Sequence, residues 1–519
     1  MSNRSTKCSI VLQKPWMMRC ITSLETVIKM SNSTRWAVPD NLPQKMFIDG
    51  QWMASTSDHM IDTIDPATGT IIGHFPNANN DDVDRAVASA KEALSGEWRT
   101  TTPTMRGRIL ARTGSLIRQD AERLARIETL ESGKPIREAR GDIETAAGYF
   151  EYYAGIADKL QGDSIPLGPD FISFTLHEPV GVTAHIIPWN FPLVTTARGA
   201  APALAAGCTA VINPAEQTSL TSLILADILH QAGLPAGVCN VITGYGADAG
   251  AALTAHPDVS HVTFTGSVPT GKTVMKTAAD HVASVTLELG GKSPLVVLAD
   301  ADLEAAVEGT LKAIYLNAGQ VCSAGSRLVV ERAVHDAMME RLTAASEALT
   351  LGHGLDDAQL GPLISAEQLK KVADYVNGAR ERSVSVATGG SIAEVAGMEN
   401  GFFYTPTILD EVSAKEKVVQ EEIFGPVLCV QVVDSPEQAI AVANGTNFGL
   451  VAGIYTRNIN RALEFARDVD SGQVYINQYF AGGIATPFGG TKQSGFGREK
   501  GLTALASYYR VKCITARLT

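Results

Sequence analysis

Short apolar segments alternate with helical patterns along this chain, and the alternation restricts its fold more than any other feature. From residue 182, TAHIIPW and TAVINP are strand-like, SLTSLILADILHQAG (219–233) is helical, and NVITGYG and HVTFTG are strand-like again. A second strand–helix series begins near residue 288. Because such alternation is typical of parallel, doubly wound sheets, the sequence predicts an α/β fold.

The composition predicts a globular protein of several domains. The chain has 519 residues, of which 45% are hydrophobic and 19% charged. Its net charge of −12 argues against nucleic acid or an anionic membrane as partner, and no apolar run is long enough to span a bilayer. Seven widely spaced cysteines without a C-x-x-C motif predict free thiols, a cytoplasmic location and no metal site.

Residues 1–39 differ from the rest of the chain. They contain six basic side chains and a single acidic one, Glu25. This composition is typical of a mitochondrial transit segment, which leaves a mitochondrial location as the alternative. Because no clear amphipathic helix is present, the sequence favours a disordered extension, or a segment upstream of a natural start at Met30.

One motif suggests nucleotide hydrolysis. GSVPTGKT (266–273) matches the phosphate-binding loop of nucleotide triphosphatases, with a strand-like segment before it and a helical one after it. Asp300, at the end of PLVVLAD, offers a magnesium ligand. An ATPase is therefore one candidate function, although a glycine turn at a helix N-terminus attracts the phosphates of other ligands equally well.

Three other residues suggest covalent catalysis. Cys322 lies among small residues in NAGQVCSAGSR, where a thiolate could attack a carbonyl carbon; the alternative is an inert, buried cysteine. Glu288, in the apolar segment LELGGKSP, suits a general base with a raised pKa, unless it pairs with Lys292. Asn190, between prolines in PWNFP, could donate to an oxyanion or simply form a turn.

Seven motifs follow one another in an order that resembles the NAD(P)-dependent aldehyde dehydrogenase superfamily. The resemblance covers residues 45–519. The motifs are PWNFP, NPAEQT, FTGS, LELGGKSP, GQVCSAGSR, EEIFGPV and PFGGTKQSGFGRE. Seven ordered motifs are far more specific than one short pattern, so the resemblance reduces the ATPase to a remote alternative. A non-catalytic structural relative is the other, and the presence of all three candidate catalytic residues argues against it.

The resemblance implies a reaction as well as a fold. Cys322 is expected to form a thiohemiacetal with an aldehyde, Asn190 to hold the oxyanion, and Glu288 to activate the water that hydrolyses the resulting thioester. The expected fold has a discontinuous Rossmann-like NAD-binding domain, an α/β catalytic domain and a β oligomerisation arm, which implies a homodimer or homotetramer. Their expected ranges are 40–158 and 179–287 for the first, 288–486 for the second, and 159–178 with 487–519 for the arm.

The resemblance also implies a set of cofactor contacts. Trp189 is expected near the adenosine, Ser267 at the pyrophosphate, Leu289 near the carboxamide, Glu422 on a ribose and Phe424 against the nicotinamide. The full expected set is Pro188, Trp189, Asn213, Glu216, Gly246, Gly266, Ser267, Gly271, Leu289, Glu422 and Phe424.

Three positions depart from the family pattern. Asn213 replaces a lysine, which removes a positive charge; together with Glu216, whose carboxylate repels a 2′-phosphate, this favours NAD over NADP. Arg198 and Phe191 are expected to contact the substrate, and Arg198 predicts an acidic semialdehyde unless it pairs with a protein carboxylate. The alternative substrate is a neutral aliphatic or aromatic aldehyde. Gly199, where lysine is common, is expected to leave extra room.

Overall fold

Two large, mostly parallel sheets organise the computed structural model, which describes residues 36–518. Residues 1–35 lie outside this range, and so do the predictions made for that part of the N-terminal segment 1–39. All the elements lie from residue 41 onward. The α-helices are α1 (Asn80–Ser95), α2 (Glu97–Thr100), α3 (Pro103–Gln119), α4 (Ala121–Ser132), α5 (Ile136–Ala154), α6 (Pro192–Ala206), α7 (Leu220–Gln231), α8 (Ala251–Ala255), α9 (Val268–Ala279), α10 (Leu303–Tyr315), α11 (Arg332–Glu347), α12 (Ala366–Glu381), α13 (Lys417–Gln420), α14 (Pro436–Ala443) and α15 (Ile459–Asp468).

The first sheet has helices on both faces, as the strand–helix alternation predicts. Its strands are β1 (Met46–Ile48), β2 (Gln51–Met53), β7 (Val182–Ile187), β8 (Thr209–Pro214), β9 (Cys239–Val241), β10 (Val259–Thr265), β11 (Ser284–Glu288) and β21 (Gly495–Phe496), in the order β2-β1-β9-β8-β7-β10-β11-β21. Because side chains alternate between the faces of a strand, Ala210 and Ile212 pack with the layer of α3 to α7 and Val211 packs with α1.

The second sheet repeats this arrangement. Its strands are β12 (Pro294–Val297), β13 (Arg327–Glu331), β14 (Ser385–Thr388), β15 (Thr407–Asp410), β16 (Val427–Val433), β18 (Val451–Tyr455) and β19 (Gln473–Ile476), in the order β14-β15-β16-β13-β12-β18-β19. Leu295 and Val297 pack toward α10 to α12, whereas Val296 packs toward α14 and α15. Apart from the β14–β15 pair, the neighbouring strands run parallel.

The C-terminal strand joins a separate antiparallel sheet. Strand β22 (Tyr509–Arg517) pairs along its full length with β6 (Phe171–Pro179), whose other edge pairs with β5 (Ser164–Ile165). Within residues 487–508, however, β20 (Thr491–Lys492) pairs with β17 (Phe448–Gly449), and β21 pairs with β11 of the first sheet. In the stretch before β22, β21 thus extends the first large sheet, whereas β20 and β17 form a two-stranded sheet of their own. The remaining hairpin is β3 (Met60–Asp65) with β4 (Thr70–Pro76).

The order of the first sheet brings two candidate catalytic segments together. Strands β7 and β11 flank β10 and run parallel to it. Their carboxyl ends therefore lie at one edge of the sheet, where open α/β sheets bind their ligands. Within residues 36–518, no helix is both long enough and apolar enough to cross a membrane.

Candidate active site

Asn190 and Glu288 are placed by the ends of two strands. Strand β7 ends at Ile187, and residues 188–191 connect it to α6, whose first residue is a proline. Glu288 is the last residue of β11. Both side chains are buried, and both line a single cavity at the carboxyl edge of the first sheet.

Cys322 reaches the same cavity through a tight turn after α10. Three consecutive residues, Asn317, Ala318 and Gly319, have positive φ angles of 48°, 53° and 74°. A side chain at Gly319 would overlap the backbone, because its Cβ would lie 2.1 Å from the carbonyl oxygen of Gly425. The Asn317 N–H donates to Glu138 Oε2 at 2.9 Å, which anchors the turn.

The cavity unites the three candidate catalytic residues with most of the expected cofactor residues. Its volume of about 190 Å³ is below the roughly 300–1,000 Å³ of typical ligand pockets, so it can hold only one end of a dinucleotide. It is lined by Pro188, Trp189, Asn190, Thr265, Gly266, Ser267, Glu288, Leu289, Gly290, Cys322, Gln368, Lys371, Glu422 and Phe424.

The Glu288 carboxyl is set up as a base. Both of its oxygens are buried and lack a hydrogen-bond partner in the described part of the chain, and no ion pair joins it to Lys292 there. Burial raises the pKa of Glu288 well above its ordinary value, Glu499 raises it further, and Arg198 opposes the shift. A carboxyl with a raised pKa binds a proton more tightly, which suits a general base.

The Cys322 thiol and the Asn190 amide have roles different from that of the Glu288 carboxyl. Burial raises the pKa of the Cys322 thiol to about 12, so at neutral pH a base has to take its proton before it can attack. Asn190 Nδ2 donates to the Gln320 carbonyl at 2.9 Å, and Asn317 Nδ2 donates to the Asn190 carbonyl at 3.1 Å. These bonds fix the Asn190 amide, which still has a second N–H to offer.

The residues at the start of α9 and after β11 fit a dinucleotide. Ser267 caps α9, where its Oγ accepts from Thr270 N at 3.3 Å, and a helix N-terminus favours phosphate. Gly290 leaves space for the Glu422 carboxylate, since a Cβ there would lie 2.5 Å from Glu422 Oε2. Glu422 Oε1 accepts from Gly291 N at 2.9 Å, and burial raises the pKa of Glu422 to about 7.

Four lining residues were outside the expected set: Thr265 and Gly290, which lie within the motifs FTGS and LELGGKSP, and Gln368 and Lys371, which lie on α12. Gln368 Nε2 donates to the carbonyl of Phe424 at 2.7 Å, and Phe424 has a positive φ of 63°, so Gln368 holds this strained residue in place. Lys371 lies one turn further along α12. Neither belongs to a short motif, and only the amphipathic pattern of the helix marks their position. Trp189 packs edge-on against Phe424 at 5.2 Å between ring centroids, at the end of the cavity where the nicotinamide, not the adenosine, was expected.

Several expected cofactor residues lie outside the cavity lining. Asn213 is buried at the end of β8, where its amide donates to the Ile242 carbonyl at 3.1 Å. Glu216 accepts from Gln217 Nε2 at 3.0 Å. Gly246 begins a single π-helical turn, and Gly271 lies under Leu289, with a Cβ position 2.5 Å from Leu289 Cδ2. Gly271 therefore supports the cavity wall from below.

The residues expected to contact the substrate make contacts within the protein. The Arg198 guanidinium forms an ion pair with Glu499, with side chains only 10% and 4% exposed, so the alternative of a protein carboxylate partner is the observed one. Phe191 lies under Lys134, whose Nζ is 4.5 Å from the ring centroid. The expected space at Gly199 is filled, because a Cβ there would lie 2.5 Å from His185 Nδ1.

The triphosphatase motif does not form a phosphate-binding loop. Helix α9 begins at Val268, so the glycine, lysine and threonine that end the motif lie within the helix, and Lys272 and Thr273 are exposed. Asp300 accepts from Thr456 Oγ1 at 2.7 Å, after a strand of the other sheet. The match to GSVPTGKT is therefore coincidental.

Comparison with known proteins gives one family. The family model described as "Aldehyde dehydrogenase family" matches residues 52–514. A hydroxyisobutyraldehyde dehydrogenase of Mycolicibacterium austroafricanum is 44% identical, with 92% of this chain and 94% of the relative covered. A betaine aldehyde dehydrogenase of Bacillus subtilis is 41% identical, with coverage of 91% and 97%. The NAD⁺ complex of an aldehyde dehydrogenase from Bacillus cereus has a TM-score of 0.90 at 41% identity, with coverage of 92% and 97%.

Proposed function

Because this chain belongs to the aldehyde dehydrogenase family, we propose that it oxidises an aldehyde to a carboxylic acid through a covalent bond to Cys322, with NAD as cofactor. The observation that carries the proposal is the single cavity lined together by Asn190, Glu288 and Cys322. The family membership rules against the ATPase. The cavity argues against a non-catalytic relative, because a protein without activity has no need of an orphaned buried carboxyl beside a thiol.

The first half of the reaction uses the thiol and the amide. Cys322 loses its proton to a base and its sulfur attacks the carbonyl carbon, so that the carbonyl oxygen becomes an oxyanion. The second N–H of the Asn190 amide, together with the backbone N–H of Cys322, would donate to that oxyanion. NAD, when bound, supplies the hydride acceptor that turns this adduct into a thioester.

The second half uses the carboxyl. Glu288 takes a proton from water, the hydroxide attacks the thioester carbonyl, and the carbon–sulfur bond breaks to release the acid and the thiolate. Burial raises the pKa of Glu288, so the carboxylate accepts a proton more readily near neutral pH than an exposed glutamate does.

The cofactor is held by residues at two edges of the cavity. Gly266 and Ser267, at the N-terminus of α9, suit the pyrophosphate. The Glu422 carboxylate suits the hydroxyls of a ribose, and the aromatic rings of Trp189 and Phe424 suit the nicotinamide. A B. cereus relative of the same fold was solved as its NAD⁺ complex, which supports NAD as the cofactor of this chain.

An activity assay tests the proposal: the purified chain is mixed with NAD and with each of a panel of aldehydes. We expect NADH absorbance to rise, and the matching carboxylic acid to form, with at least one of four aldehydes. These are betaine aldehyde, butyraldehyde, benzaldehyde and succinic semialdehyde. Turnover of ATP without aldehyde, or no NADH with any panel member, would contradict it. The Cys322→Ala variant is the control, because it keeps the cofactor residues and loses the nucleophile.

We also propose that the sheet of β22, β6 and β5 joins subunits into a homodimer or homotetramer. Apolar side chains at Phe171, Ile172, Leu176 and Val511 are exposed on it, which favours burial against another copy. Sedimentation of the full chain tests the assembly, and a monomer at micromolar concentration would contradict it.

We further propose a cytoplasmic location for the protein. The described cysteines are all free thiols, as is usual for proteins in that reducing compartment.

A further inference from the structure

A cation without a carboxylate partner lies beside the proposed catalytic residues. Arg198 and Glu499 form a buried ion pair, so their charges cancel locally. Lys500, the next residue after Glu499, is half-buried and forms no ion pair among residues 36–518. Its ammonium interacts electrostatically with Glu288 and Cys322 as well as with the ion pair. Counted together, Arg198, Glu499 and Lys500 therefore carry one net positive charge.

The backbone around Lys500 is fixed on both sides. Glu499 N donates to the Phe488 carbonyl and Phe488 N donates to the Glu499 carbonyl, each at 2.7 Å. Gly501 N donates to the Ile484 carbonyl at 2.8 Å. Lys500 itself has a φ of 65°, a backbone conformation that residues other than glycine rarely adopt.

The side chain of Lys500 packs over an aromatic ring that also meets Arg198. Lys500 Nζ lies 5.4 Å from the Phe488 ring centroid, and the Arg198 guanidinium carbon lies 5.6 Å from the same centroid. Arg198 Nη2 in turn donates to Thr265 Oγ1, a residue of the cavity lining, at 3.3 Å. Lys500 therefore lies next to the ion pair, whose Arg198 reaches the cavity lining through Thr265.

We propose that Lys500 binds an anionic group at the end of the aldehyde substrate away from its carbonyl, so that the enzyme prefers acidic aldehydes over cationic ones. This inference rests on the proposed function and deepens it by naming a substrate class. Lys500, and not Arg198, is proposed to bind the anionic group, because the charge of Arg198 is already matched by Glu499. An unpaired ammonium in a partly desolvated place is costly, and a substrate carboxylate would offset that cost.

The wild-type enzyme gives a first test that needs no mutation. Betaine aldehyde and 3,3-dimethylbutyraldehyde have almost the same shape and differ by one positive charge. We expect kcat/KM to be about tenfold higher for the neutral compound, since a like charge near Lys500 is repelled. Equal values, or a preference for betaine aldehyde, would overturn the proposal.

A charge series at position 500 gives the second test, with succinic semialdehyde and butyraldehyde as the probes. Lys500→Met should lower kcat/KM for succinic semialdehyde about tenfold and change it less than about twofold for butyraldehyde. Lys500→Arg should retain the preference, and Lys500→Glu should invert it in favour of betaine aldehyde. Equal losses on all substrates in every variant would mean that Lys500 only supports the fold.

A matched control and a separate readout keep the two proposals apart. Lys492 also has a positive φ, of 51°, but lies near Asp470 and donates to the Thr446 carbonyl, so Lys492→Met should leave the selectivity unchanged. If butyraldehyde is oxidised but the series shows no charge dependence, the substrate inference fails and the proposed function stands. If no aldehyde yields NADH, the proposed function itself fails.

Discussion

The Arg198 guanidinium and the Glu499 carboxylate form an ion pair that is almost fully buried beside Glu288. The two partners act on Glu288 in opposite directions, because Glu499 raises the pKa of the Glu288 carboxyl and Arg198 lowers it, while burial makes the largest contribution. The basicity of Glu288 therefore depends on a pair of residues that do not take part in the proposed chemistry.

Replacement of Glu499 by glutamine should move the pH dependence of turnover to lower pH. Without the Glu499 charge, Arg198 lowers the pKa of Glu288 unopposed, and the basic form that activates water is present at lower pH. The acid limb of steady-state turnover, measured from pH 5 to 9, is the readout. The exposed Glu381→Gln is the matched control, and an acid limb in Glu499→Gln that stays in place or moves upward contradicts the coupling.

Gly199 and His185 should be energetically coupled. A methyl group at Gly199 would overlap His185 Nδ1, and both residues are buried, so Gly199→Ala should destabilise the protein by about 1–3 kcal/mol through overpacking. In the double variant with His185→Ala the overlap disappears, and the combined loss should be smaller than the sum of the single losses. Urea unfolding of the four proteins measures this, and strictly additive losses would rule out the steric contact.

Loss of the Asn190 amide should slow catalysis without loss of cofactor binding. Asn190→Ala removes the side-chain donor proposed for the oxyanion, and the removal of one such donor typically lowers kcat about 100- to 1,000-fold. The KM for NAD should change little, because the oxyanion forms only on the substrate. The exposed Asn377→Ala on α12 serves as control. A kcat within about threefold of the wild type would exclude this role for Asn190.

The preference for an acidic aldehyde should weaken at alkaline pH. Burial and the neighbouring Arg198 lower the pKa of Lys500 to about 8, while Glu499, Glu288 and Cys322 oppose the shift. A lysine is charged below its pKa, so the ratio of kcat/KM for succinic semialdehyde to that for butyraldehyde should fall as pH rises through about 8. The ratio cancels the titration of Glu288 and Cys322, which acts on both substrates. A ratio that is flat from pH 7 to 9.5 contradicts the prediction.

Much of the site could be predicted because its residues follow from local rules. Asn190 and Glu288 lie at the ends of apolar strands, and parallel strands bring their carboxyl ends to one edge. Cys322 lies in a turn of small residues, which the sequence shows directly. Ser267 was expected from the family resemblance, and it lies at the start of α9.

The rest depends on contacts between distant segments, which no local pattern encodes. The pairing of Arg198 with Glu499 and the imidazole of His185 against Gly199 are set by packing alone. Asn213 turns inward to a neighbouring strand, although its motif suggests a ligand contact. GSVPTGKT matches the phosphate-loop pattern, but the motif alone does not reveal where the helix begins.

The central claim is that Cys322 forms a thioester that Glu288 then hydrolyses, and rapid mixing of the Glu288→Gln variant with NAD and aldehyde tests it most directly. We expect a burst of NADH close to one equivalent per active site, followed by slow turnover, and an acyl group on the peptide that contains Cys322 in mass spectrometry of the quenched protein. Undiminished steady turnover without a burst, or an acyl group on another residue, would contradict the account.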